Sequence, residues 1–234
     1  MKKEGLWHAD ILILIAAAAN LVAFAIHEIL SQFHTHPLWR SLFLVVACLL
    51  LYLGGVLYTQ RTGNKKLLPR LFGVFFLLYL YLILSFTLLD PSMGRGQNSV
   101  YDLVGDKRNA YNQRFVNLVP FRSIYHVYIK GFLGGYVNVY YTLLNLVGNV
   151  CAFMPMAFFL PYLFKHQKKW FVFLPTTLLF VVAVEFLQYL FMIGSCDIDD
   201  LILNAGGSFL FFLFLKLPFM KKLISRLTEI QKKS

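Results

Sequence analysis

Six apolar runs of roughly twenty residues punctuate this chain, each about as long as a helix must be to cross a bilayer. They cover Ala9–Leu30, Leu38–Tyr58, Leu68–Leu89, Tyr141–Phe164, Trp170–Ile193 and Leu201–Leu217. Backbone inside lipid must satisfy its own polar groups, which leaves helices or a closed barrel. Continuous runs of this length predict an all-α, polytopic bundle of about six transmembrane helices. The first run also has the look of a secretory signal, with Lys2 and Lys3 ahead of an apolar core and small residues before Asn20. Its apolar character continues to Ile26, which favours a retained helix.

The formal charge of +11 raises the question of nucleic acid. The basic residues sit in short clusters between apolar runs, however, and leave no soluble basic domain to bind one. No nucleic-acid partner is expected. Fifteen of the 22 Lys and Arg fall at Met1–Gly5, Thr59–Arg70, Lys165–Lys169 and Lys216–Ser234. Under the positive-inside rule these segments are cytoplasmic, so both termini are expected inside. The chain then reads as three N-terminal transmembrane helices in residues 1–90, an extracytoplasmic loop in 91–140, three further spans, and a basic cytoplasmic tail in 216–234. Asp90-Pro91-Ser92-Met93-Gly94 opens the loop as a turn. Within it, Asn117-Leu118-Val119-Pro120-Phe121 carries an apolar core. We expect that core to pack back onto the outer helix ends, so that a cysteine at Phe121 would label slowly beside one at Gln97.

The polar residues inside the apolar runs carry the functional signal, because a charge at the centre of a membrane helix costs about 2.5–3.5 kcal/mol on insertion scales. Asn145 and Asn149 share one helix face, with Gly148 beside them and Pro155 bending or breaking the helix below. Glu185 and Gln188 share another face. Seven residues separate Glu185 from Met192, so Glu185 lies about 10 Å below its helix end and needs a cation or a proton. Asp197, Asp199 and Asp200 open the last span; one acid suffices to cap a helix, and three exceed that need. Asp200 shares a face with Asn204, and Gly206-Gly207 offers close approach to a neighbouring helix. Each group can be read either as helix glue or as part of one outward polar cluster. In the second reading the Asn117–Phe121 segment closes the cluster and Arg114 or Arg122 supplies the cation. His27 and Glu28 are placed at the membrane interface. His34 and His36 lack a clear third ligand, and no metal or other cofactor is expected.

These residues also resemble the VanZ family of bacterial membrane proteins, named for a member associated with teicoplanin resistance. The matching blocks are Asn117-Leu-Val-Pro-Phe121, Asn145-Leu-Val-Gly-Asn149 with Phe153-Met-Pro155, Glu185-Phe-Leu-Gln188, and Asp197-Ile-Asp-Asp200-Leu-Ile-Leu-Asn204 with Gly207. Together they span residues 111–215 in the family's order. Ala157 stands where the family usually has Gly. Ser195 and Cys196 stand where many members carry an Arg, which turns attention to Arg114 and Arg122. The resemblance implies a cell-membrane protein of the bacterial envelope linked to glycopeptide antibiotic resistance, without implying a reaction.

The binding residues expected from all this are Asn117, Pro120, Phe121, Arg122, Asn145, Asn149, Glu185, Gln188, Asp197, Asp199, Asp200 and Asn204. Their partner would be membrane lipid, a lipid-linked envelope molecule or a lipoglycopeptide. The alternative is a membrane enzyme acting on a lipid-linked substrate with Glu185, Asp199 or Asp200 as acid or base. Nucleophile elbows, phosphate loops and zinc-protease helices are missing from the sequence, which leans the reading away from catalysis.

Overall fold

A computed structural model of the chain describes residues 9–31, 36–89, 104–136 and 138–228. Lys2, Lys3, His34, the Asp90–Gly94 turn and Gln97 lie outside the described residues. The helices are α1 (Ala9–Leu30), α2 (Pro37–Thr62), α3 (Leu67–Leu84), α4 (Asp106–Phe115), α5 (Phe132–Gly134), α6 (Val139–Ala152), α7 (Met156–Leu163), α8 (Trp170–Phe191), α9 (Ile198–Leu215) and α10 (Pro218–Thr228). A π-helical turn, Ser85–Leu89, extends α3, and a second, Ile124–Gly131, precedes α5. Two two-residue strands, β1 (Val116–Asn117) and β2 (Cys196–Asp197), pair in parallel. Six helical stretches are long and apolar enough to cross a membrane, and this is a multi-pass membrane protein.

The span expected over Tyr141–Phe164 is broken. Pro155 has no N–H to continue the ladder, so α6 stops at Ala152 and α7 starts at Met156. At the far end of α8, Met192 takes the left-handed conformation (φ 52°) and its N–H returns to the last turn. The last span begins three residues earlier than the apolar pattern suggests, because the Asp197 side chain accepts the Asp199 N–H and caps α9.

The described residues form two compact units, one within Met1–Phe86 and Leu217–Ser234, the other within Thr87–Lys216. In the first, α1 packs on α2 so closely that a Cβ at Gly54 would meet Leu14 Cγ at 2.8 Å. Two ion pairs brace opposite ends of these helices. Arg61 Nη2 lies 2.9 Å from Asp10 Oδ2. Arg40, fully buried, donates from Nε to Glu28 Oε1 at 3.2 Å, while the Tyr81 hydroxyl donates to Glu28 Oε2 at 3.0 Å. Glu28 is thus buried among protein groups near the end of α1. A lone carboxylate could not sit there; one matched to a guanidinium and a phenol can.

In the second unit α6, α8 and α9 surround a core of Phe153, Met156, Phe173, Val181, Val184 and Phe212. Phe173 and Phe212 stack face to face across α8 and α9, with ring centroids 4.3 Å apart. The closest helix contact is at Gly207. A Cβ there would come within 2.1 Å of the Val150 carbonyl oxygen, so α6 and α9 meet backbone to backbone. Gly148 and Gly206 have nothing within 4 Å and play no such part. The three cysteines are free.

Candidate functional site

The second unit's polar residues divide into a strap and a cavity. The strap is the Asn117–Ile124 segment, tied to the start of α9. The side chain of Asn117 forms an Asx turn, its Oδ1 accepting the Val119 N–H at 3.2 Å, and its Nδ2 donates to Asp197 Oδ1 at 2.9 Å. Ser123 Oγ donates to the other Asp197 oxygen. Asp199 is completely buried, and its carboxylate accepts the backbone N–H groups of Phe121 and, at 2.9 Å, Ile124. Phe121 itself is left-handed (φ 64°), a conformation that costs an L-residue about 1–2 kcal/mol. Charge-assisted hydrogen bonds to a buried carboxylate are strong enough to hold it there.

The segment therefore does fold back onto α9, but not through its apolar side chains. Leu118, Val119 and Phe121 are all exposed, as is Pro120. The Phe121 side chain is 60% exposed, and Gln97, with which its labelling is to be compared, lies outside the described residues. Backbone pairing and two carboxylates do what buried apolar area was expected to do.

The other carboxylates line a cavity of about 140 Å³. Asn145, Asn149, Glu185, Gln188, Asp200 and Asn204 all face it, over an apolar side made by Phe153, Val181 and Val184. Asn149 Nδ2 donates to Asp200 Oδ1 across α6 and α9. Gln188, buried, donates to the Thr87 carbonyl at 2.9 Å, and Asn145 donates to the Tyr128 hydroxyl at 3.1 Å. Asn204 is only 5% exposed, and its Oδ1 accepts no hydrogen bond among the described residues. The lining includes exposed Ser195 and Asn145, so the cavity reaches the surface of this unit.

Among the described residues, no Lys, Arg or His belongs to that lining. Arg114 and Arg122 are exposed, and among the described residues neither pairs with Glu185 or an aspartate; Arg114 lies over the Phe115 ring instead. The proposed cation from either residue is thus corrected. Among the described residues, a basic side chain at this end of α8 is Arg108, which donates to the Tyr189 carbonyl at 2.7 Å and lies 4.2 Å over the Tyr189 ring. It caps the negative end of the α8 dipole, a role the sequence pattern did not indicate.

The field of the carboxylates reaches the surrounding groups. Burial pushes the Tyr128 phenol up to about 12, reinforced by Asp200, Asp197 and Asp199. Burial likewise raises Tyr111 to about 12 and raises the Cys196 thiol, with Glu185 adding to both. Tyr128 and Ser123 contribute to the site although the sequence reading passed over them. Ser123 could have been found as a hydroxyl two residues beyond the Asn117–Phe121 block, whereas Tyr128 is one of several tyrosines in its segment. No three His, Cys, Asp or Glu among the described residues are grouped to hold a metal ion.

A family model described as VanZ/LLP1 matches residues 76–220, from within α3 to the start of α10. No curated protein and no solved structure matches the chain.

Proposed function

The chain belongs to the VanZ/LLP1 family, and from that premise we propose that it is a cell-envelope protein whose polar cavity faces outward and binds a lipid headgroup, a lipid-tailed antibiotic such as teicoplanin, or a lipid-linked partner. The observation that carries this reading is the meeting of Asn145, Asn149, Glu185, Gln188, Asp200 and Asn204 around one cavity of about 140 Å³. One water needs only about 10–15 Å³ of such volume, so there is room for a polar headgroup. Polar groups this costly in a membrane segment are retained where something polar is bound or conducted. The outward direction rests on the cluster of Lys and Arg at the other ends of these helices.

The test is to purify the full chain with its native lipids and identify co-purifying molecules by mass spectrometry, beside Asp200→Asn and Asn204→Leu. A molecule retained by the wild type and lost from both variants is the expected result. Equal lipid profiles in all three would end the binding reading. Teicoplanin susceptibility of cells expressing the same variants tests the link to antibiotic resistance.

The enzyme reading keeps one specific support, that Glu185 and Asp200 line the same cavity. A lipid-linked product formed by the wild type, and not by a folded Glu185→Gln protein that still retains the lipid, would move the assignment to catalysis.

A further inference from the structure

The chain leaves its last membrane span at Leu215 and opens α10 at Pro218. That stretch of chain can cover only about 10 Å, so α10 starts at the membrane surface. Within α10 the helical period sorts side chains by kind. Phe219, Leu223 and Leu227 recur every fourth residue, and all three are exposed. Lys222 and Arg226 form the adjoining stripe, with Lys221 further round, and these are exposed too. Met220 and Ile224, on the other flank of the apolar side, are half-buried. We propose that α10 is a membrane-surface helix that binds anionic phospholipid, its leucine seam among the acyl chains and its basic stripe at the phosphates.

An isolated helix needs about 12–15 residues to hold in water, and α10 has 11, so it depends on a surface. One anchor is visible: the Tyr52 hydroxyl of α2 donates to the Leu227 carbonyl at 3.0 Å. Tyr52 stands six residues, about 9 Å of helical rise, before Tyr58, where the apolar run of α2 ends. Helices that lie in the interface sink their apolar face about 5–10 Å, which is the depth of that anchor. The aliphatic stems of Lys222 and Arg226 run beside the seam, so their charges can reach the headgroups while the leucines stay in hydrocarbon. From Lys216 to Ser234 the sequence carries six Lys and Arg against one acid, Glu229. A zwitterionic surface offers that excess no net charge, whereas an anionic one strengthens binding by about fivefold for each basic side chain.

Hydrogen exchange of residues 218–228 in the full-length protein tests this, in nanodiscs of phosphatidylcholine alone or of an equal mixture with phosphatidylglycerol. Exchange is expected to be at least about fivefold slower in the mixed discs. The double variant Lys222→Gln with Arg226→Gln should erase that difference and leave exchange in α8 unchanged. If the double variant disturbs α8, high salt makes the same comparison on the wild type, since it screens the surface charges. Leu223→Ser should speed exchange in both kinds of disc. Equal exchange of the wild type in the two discs would overturn anionic recognition. Exchange as slow in detergent micelles as in the mixed discs, or indifferent to Leu223→Ser, would overturn the membrane as occupant and point to a protein surface instead.

Discussion

The buried carboxylate of Asp199 accepts the backbone N–H of Phe121, a residue 78 positions earlier, and fixes it in a left-handed conformation. We expect Asp199→Asn to lower stability by about 1–3 kcal/mol, because an amide can accept only one of the two strap N–H groups with the geometry a carboxylate offers. Phe121→Gly should be tolerated, since Gly adopts that conformation without penalty. Phe121→Val should melt lower, as a β-branched residue there is strained. Melting of the detergent-solubilised proteins decides it, and equal values for Gly and Val would remove the strain argument.

Gly207 is the second position where the structure predicts a sharp difference between neighbours. Gly207→Ala would press a methyl group into the Val150 carbonyl and should cost about 1–3 kcal/mol as α6 and α9 part. Gly206→Ala meets nothing within 4 Å and should leave stability the same or slightly higher. The two variants measured side by side provide their own control.

Glu185→Gln is expected to leave the protein folded, with a change in stability below about 1 kcal/mol. Gln is nearly isosteric with Glu and keeps hydrogen-bonding capacity at that place in the cavity lining. Ligand retention should nevertheless fall. A large drop in melting temperature with retention intact would mean that Glu185 locks helices and does not bind.

In the other unit, Arg40→Gln or Glu28→Gln should each cost about 3–5 kcal/mol by leaving a buried charge without its partner. The double replacement Glu28→Leu with Arg40→Met should cost much less than the two single losses added together. A double-mutant cycle on thermal stability measures the difference, and strict additivity would show that the pair is not coupled.

From the charge clusters we expect both termini on the cytoplasmic side. Reporter fusions at Ser234 and between Gly94 and Gln113 should report opposite compartments. The same compartment for both would remove the outward direction of the cavity.

The sequence by itself determined what depends on neighbours along the chain. Length and apolar continuity set six spans, and Pro155 set the break between α6 and α7. Helical spacing put Asn145 with Asn149, Glu185 with Gln188, and Asp200 with Asn204 on shared faces, because a 3.6-residue period is a local property. Only the tertiary structure decided how those faces are used. Three aspartates within four residues look alike in sequence, yet packing sends Asp197 and Asp199 to the strap and Asp200 to the cavity. The same holds for Glu28 and Arg40, whose pairing depends on how α1 packs against α2, and for Gly207, distinguished from Gly206 only by the helix that lies against it. Phe121 shows the limit most directly. Its apolar character suggested burial, but the energy holding the strap comes from main-chain N–H groups meeting a distant carboxylate, and composition carries no record of where such partners will meet.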